Sequence, residues 1–211
     1  MKTDRLIEAL VADRSAPSLP IARVLAGALA LGGLVSLLVF AVELGIREDI
    51  ATALRTWRFD LKLVLVWVAL GLAFGLCRAM ANPASTGRAL RRLLPLLALA
   101  AALVAVELLV APADSWGARL VGRNARFCMT FIPILSLAPL AATLLVLRRG
   151  APASPALAGA AAGLLAATGG AALYALHCFD DSPLFVVTWY SLAALPVIAL
   201  GALAGQRLLR W

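Results

Sequence analysis

Cys128, Met129, His177 and Cys178 hold most of the soft-ligand chemistry in a chain of 211 residues that has one histidine, three cysteines and three methionines. Thiolate, thioether and imidazole together suit Cu(I) or another thiophilic ion better than Mg or Ca. Asp180 and Asp181 follow closely enough to add negative charge or a hydrogen bond to His177. The same cysteines support two other readings. A disulfide or redox sensor needs only the two thiols and an oxidising compartment, and buried cysteines are common as inert packing. Placement near a helix N-terminus would lower the thiol pKa of Cys128 and raise its reactivity. Cys77 has no partner in the pattern and reads as structural.

Other chemistry is thin. No G-x-S-x-G elbow, H-E-x-x-H pair, C-x-x-C pair or phosphate-binding glycine loop occurs, so the chain does not read as an enzyme. Glu43 and Glu107 lie towards the ends of apolar runs, where water or a loop arginine could meet them.

The elements that must position these residues are membrane helices. Hydrophobic residues make up 63% of the chain and charged ones 14%, an excess too large for one soluble core. Six apolar runs, at about 22–45, 61–80, 93–111, 128–147, 154–176 and 184–206, each match one crossing of a ~30 Å hydrocarbon layer. The predicted fold is an all-α bundle of six transmembrane helices over residues 21–211. Ser182 and Pro183 mark a helix start, as N-cap and first helical residue. The glycine pairs Gly71/Gly75, Gly159/Gly163 and Gly201/Gly205 each share a helix face, allowing close packing within the chain or between copies.

The net charge of +8 reads as membrane orientation rather than nucleic-acid binding. With the N-terminus inside, the inner segments carry twelve Lys and Arg and the outer loops seven, which places both termini in the cytoplasm. That orientation puts Cys128 and Cys178 at the outer boundary. Residues 1–20 form a separate cytoplasmic segment. Within it Leu6, Ile7, Leu10 and Val11 fall on one helical arc, opposite Asp4, Arg5 and Glu8. Its balanced charge is unlike a lipid-surface helix and suits docking of the apolar stripe into a partner's groove.

Four stretches carry a resemblance that runs the length of the chain. They are the opening Met-Lys-Thr-Asp-Arg-Leu-Ile-Glu-Ala-Leu, Phe127-Cys128 through Ile132-Pro133, Leu147-Arg148-Arg149-Gly150, and Tyr174-Ala175-Leu176-His177-Cys178 running on through Asp181-Ser182-Pro183-Leu184-Phe185 to Thr188-Trp189-Tyr190. Together they resemble the NrsF family, negative regulators of sigma factor F, which are six-helix anti-sigma factors of the bacterial inner membrane. The resemblance implies that the N-terminal segment sequesters an extracytoplasmic-function sigma factor. It also implies that two periplasmic cysteines, matching Cys128 and Cys178, sense metal stress, with copper or another thiophilic metal as inducer. The H-x-x-x-C-x-x-C zinc motif of many other anti-sigma factors does not occur, so sigma binding must rest on the tail and the inner loops. The rival reading, a small metal or solute transporter or channel subunit, needs ionisable residues at mid-membrane depth, where the runs are almost wholly Leu, Ala, Val and Gly.

Overall fold

The computed structural model describes residue 3, residues 20–81 and residues 90–210. The segment with Leu6, Ile7, Leu10 and Val11 lies outside the described residues, as does most of the loop after residue 81. The described chain is helical and contains no strand. In chain order the helices are α1 (Ile21–Glu43), the short α2 (Ile50–Ala53), α3 (Trp57–Met80), α4 (Leu94–Val110), the short α5 (Trp116–Val121), α6 (Ala125–Leu147), α7 (Pro155–Tyr174) and α8 (Pro183–Leu208). Five of these, α1, α3, α6, α7 and α8, are long and apolar enough to cross a membrane. α4 is equally apolar but has 17 residues, and a 3₁₀ turn, Arg91–Leu93, leads into it.

Two helices begin earlier than hydropathy alone predicts. α3 takes in Arg58 and Asp60, and α6 takes in Arg126. Charge ends an apolar run in sequence, but it need not end a helix whose charges find partners. The expected start at Ser182-Pro183 is present, with a difference in detail. Pro183 is the first helical residue, yet the Ser182 hydroxyl makes no cap and donates instead to Glu107 Oε1 at 3.2 Å.

α7 is the centre of the bundle and packs against α8, α6 and α3. Its sequence, rich in Ala and Gly, has no bulky face, which suits a helix surrounded by others. The seam with α8 is backbone on backbone. A Cβ on Gly163 would fall 2.6 Å from the Val197 carbonyl oxygen, and one on Gly205 would fall 2.5 Å from that of Pro155. The second and third glycine pairs therefore meet each other inside one chain. Gly71 differs, with open space where a side chain would stand.

α1 joins the bundle by a device that Pro139 creates. Proline has no N–H, so the Leu135 carbonyl one turn earlier loses its helical donor. The Ser36 hydroxyl of α1 supplies a replacement at 2.6 Å, and Gly32 on the same face lets Pro139 approach, with 2.7 Å from its Cβ position to Pro139 Cα.

Candidate functional site: the paired thiols

Residues 175–182 join α7 to α8 and carry His177, Cys178 and both aspartates. This loop is held from four sides. From the α1–α2 side, Arg47 donates to the Cys178 carbonyl at 3.0 Å and to Asp181 at 2.9 Å, while its backbone N–H reaches the Leu176 carbonyl at 3.1 Å. Lys62 of α3 donates to the same Cys178 carbonyl at 2.8 Å and pairs with Asp181. From the α6 side, Asp180 accepts the backbone N–H groups of Arg123 and Asn124 at 2.9 and 2.8 Å. From the α4 side, Ser182 bonds Glu107, which also binds Arg58 at 3.1 Å and Arg119 at 3.0 Å.

These charges are deep. Arg47, Lys62 and Glu107 are 5%, 2% and 0% exposed. Buried charges persist only when paired and hydrogen-bonded, and here each finds an opposite charge on another helix or loop. Asp49 and Asp181 hold Arg47 firmly in its charged form, and Arg47 in turn holds the Asp49 carboxyl below its ordinary range. The Arg47 guanidinium also lies over the Phe59 and Phe179 rings, at 5.3 and 4.9 Å from their centroids.

Inside this frame sit the thiols. Cys128, on the first turn of α6, and Cys178 are both fully buried in one cluster with Tyr174, Phe185, Val186 and Tyr190. Neither forms a disulfide in this structure. Asp180 brings them together, because its side chain binds the start of the Cys128 helix while its carbonyl accepts from the Cys178 thiol at 3.7 Å. Cys178 is the thiol held low, by the Cys128 thiol as donor and, against the cost of burial, by the Lys62 ammonium. The Asp180 carboxylate sits at the α6 N-terminus, where its negative charge opposes the helix dipole that would otherwise favour a Cys128 thiolate.

The other two expected donors are not drawn in with the thiols. Met129 is 38% exposed on the outside of α6. His177 places Nδ1 3.1 Å from the Gly45 carbonyl, and its ring lies near Tyr174 and Phe179. The aspartates bind Arg47, Lys62 and the α6 start rather than His177. Among the described residues no group of three or more His, Cys, Asp or Glu side chains is arranged to hold a metal ion. The soft donors that the structure brings together are the two sulfurs. Cys77 is buried in a separate apolar cluster.

Arg47, Lys62, Tyr174 and Tyr190 are functional candidates that the residue pattern did not single out. Lys62 carried a usable signal: an ammonium one turn inside an apolar helix must have a partner. The tyrosines carried none, because aromatic residues near helix ends are ordinary membrane anchors.

The family model described as negative regulator of sigma F, NrsF, matches residues 10–211. The Anti-sigma-F factor NrsF of Caulobacter vibrioides is 35% identical over 215 residues, spanning all of both chains. The Probable anti-sigma-F factor NrsF of Azospira oryzae is 34% identical over 214 residues, again spanning all of both. No solved structure matches the chain. With a family model covering nearly the whole chain and two relatives aligned end to end, this protein belongs to the NrsF family of regulators.

Proposed function

We propose that the protein is an anti-sigma factor of the bacterial inner membrane that sequesters an extracytoplasmic-function sigma factor and releases it when the paired thiols react. The end-to-end similarity to two anti-sigma-F factors carries the regulatory part of this reading. The buried thiol pair, clamped by charges from three neighbouring elements, supports the sensing part.

In this reading six helices cross the membrane. The 17 residues of α4 with the 3₁₀ turn before them supply about 31 Å of rise, enough for one crossing. Both termini face the cytoplasm, and the loop at 175–182 faces the periplasm. The N-terminal segment binds the sigma factor through Leu6, Ile7, Leu10 and Val11, with no direct contact to nucleic acid and no catalysis.

Cys128 and Cys178 take up a thiophilic ion, copper or another soft metal, each giving up its thiol proton. A bound ion would tie the two sulfurs together. An oxidant acts at the same place by a different chemistry: the two thiols lose two electrons and two protons to it and become a disulfide. In both cases the start of α6 and the end of α7 are drawn into a new relation, and Asp180, which spans them, must give way. His177 and Met129, held away from the sulfurs in this structure, would have to turn inward to assist.

The test is Leu6→Asp with Leu10→Asp. Two carboxylates in the apolar stripe, each costing several kcal/mol if buried unpaired, should leave the sigma factor constitutively active while the protein still accumulates in the membrane. Unchanged repression at normal protein level would refute the docking role of this segment.

A further inference from the structure

Two buried hydroxyls in the described structure face the thiols and have no hydrogen-bond partner: those of Tyr174 and Tyr190. Tyr174 is fully buried and Tyr190 is 7% exposed. Their rings meet edge to face with centroids 6.0 Å apart, in the same cluster as both cysteines. Both hydroxyls lie within interaction range of both thiols, without a hydrogen bond to either.

The backbone contributes to this pairing. Tyr174 ends α7, just before the Cys178 loop. Tyr190 closes a π-helical turn, Val186–Tyr190, inside α8. A π turn inserts an extra residue and rotates the rest of the helix about its axis, and such turns concentrate at functional sites. Phenylalanine would fill the same space with no unmet donor. A buried hydroxyl without a partner costs about 1–3 kcal/mol, so two at one site need a reason. A neutral thiol is a weak acceptor, whereas a metal-bound sulfur carries negative charge and accepts a charge-assisted bond roughly twice as strong as a neutral one.

We infer that Tyr174 and Tyr190 are the positioning residues of a two-sulfur metal site, donating their hydroxyl protons in hydrogen bonds to Cys128 and Cys178 once those sulfurs hold a soft ion. The inference rests on the proposed role of the thiols and adds to it the groups that set affinity. The phenols are not ligands and are not consumed. Small closing movements of two rings bring the hydroxyls to the sulfurs.

The experiment uses the full-length protein in detergent, titrated with Cd(II) while the sulfur-to-metal charge-transfer absorbance is followed, and with Cu(I) against a chromophoric chelator. The wild type should bind one ion per chain, and Cys128→Ser with Cys178→Ser should abolish the signal. Tyr174→Phe and Tyr190→Phe should keep one ion per chain but weaken affinity about tenfold each, the scale of lost hydrogen bonds around metal ligands. Neither should lower the melting temperature of the metal-free protein, since each removes only an unsatisfied atom. Phenylalanine variants that bind as tightly as wild type would overturn the role of the phenols and leave the thiol site standing. Variants that melt earlier without metal would also overturn it, because the hydroxyls would then be structural. A wild type that binds neither ion would overturn the thiol site and this inference with it.

Discussion

The two ends of the bundle are held by opposite physics. Around the α7–α8 glycine seam, contact is backbone against backbone with alanine and leucine filling the rest. At the thiol end, α3, α4, α5 and the loops converge on a ring of ion pairs around aromatic and sulfur side chains. All the ion pairs among the described residues lie at this end. Close apolar packing has one arrangement and little slack. Charge-assisted contacts can be exchanged for others when a neighbouring charge changes. The seam is thus suited to hold the bundle, and the thiol end to change it.

The largest expected effect tests the rigid end. Gly163→Leu puts a branched side chain where a Cβ already meets the Val197 carbonyl at 2.6 Å and Ile198 Cα at 2.7 Å. Neither helix can repack a backbone contact, so a loss of about 3 kcal/mol or more is expected, read as a fall in folded protein extracted from membranes. Gly71→Leu, with open space at its Cβ, should accumulate as wild type does. Equal loss from both would erase the assigned difference between the glycine pairs.

Next comes the clamp. Lys62→Met leaves Asp181 with Arg47 as its remaining partner. The cost should fall somewhat below the ~3–5 kcal/mol of breaking a fully buried pair, because Asp181 keeps Arg47 and is 16% exposed. The sharper readout is alkylation of Cys178, corrected for the thiolate fraction that loss of the Lys62 ammonium reduces, which should become faster while Cys77 stays protected. Unchanged protection of Cys178 would show that the ion pairs do not guard the thiols.

Ser36→Ala is a milder test of how α1 is attached. It removes the donor to the Leu135 carbonyl that Pro139 leaves open, and about 1 kcal/mol should be lost, seen as a modest drop in melting temperature. Ser36→Ala with Pro139→Ala should recover part of it, because replacing the proline restores a helical N–H to that carbonyl.

The smallest effect is on pH. Asp49 is held below the ordinary carboxylate pKa by Arg47. Its contribution is fully present above the unfolded value of about 3.9 and is lost as pH falls through the lower folded value. Cys178 alkylation, corrected for thiolate fraction against a reference thiol, should show no opening between neutral pH and about 5. Opening within that range would point to a different titrating group.

Much of the helical framework was legible, for a simple reason. Long uncharged runs leave a backbone no way to satisfy its polar groups in lipid except by helix, so the positions of the long helices follow from composition, to within a few residues. The short helices α2 and α5 were not legible, because four- and six-residue helices are too short to show a periodicity of their own. Glu107 shows the same limit. It read as a carboxylate able to reach water or a loop arginine, and its position does bring it to Arg58 and Arg119, but within the fold rather than in solvent.

For the candidate site, the linear chain already implied that two thiols sit at the same end of an antiparallel helix pair, since α6 and α7 are joined by a short turn and each places its cysteine at the far end. It implied too that glycine pairs would let helices approach, because spacing by four puts both on one face. Packing in three dimensions settled which glycines meet and which groups surround the sulfurs. Met129 and His177 are neighbours of the cysteines along the chain, yet helix geometry turns one outward and the Gly45 carbonyl engages the other. Tyr190 and Lys62 arrive from more distant positions through packing and charge pairing, and no local pattern encodes contacts made across helices.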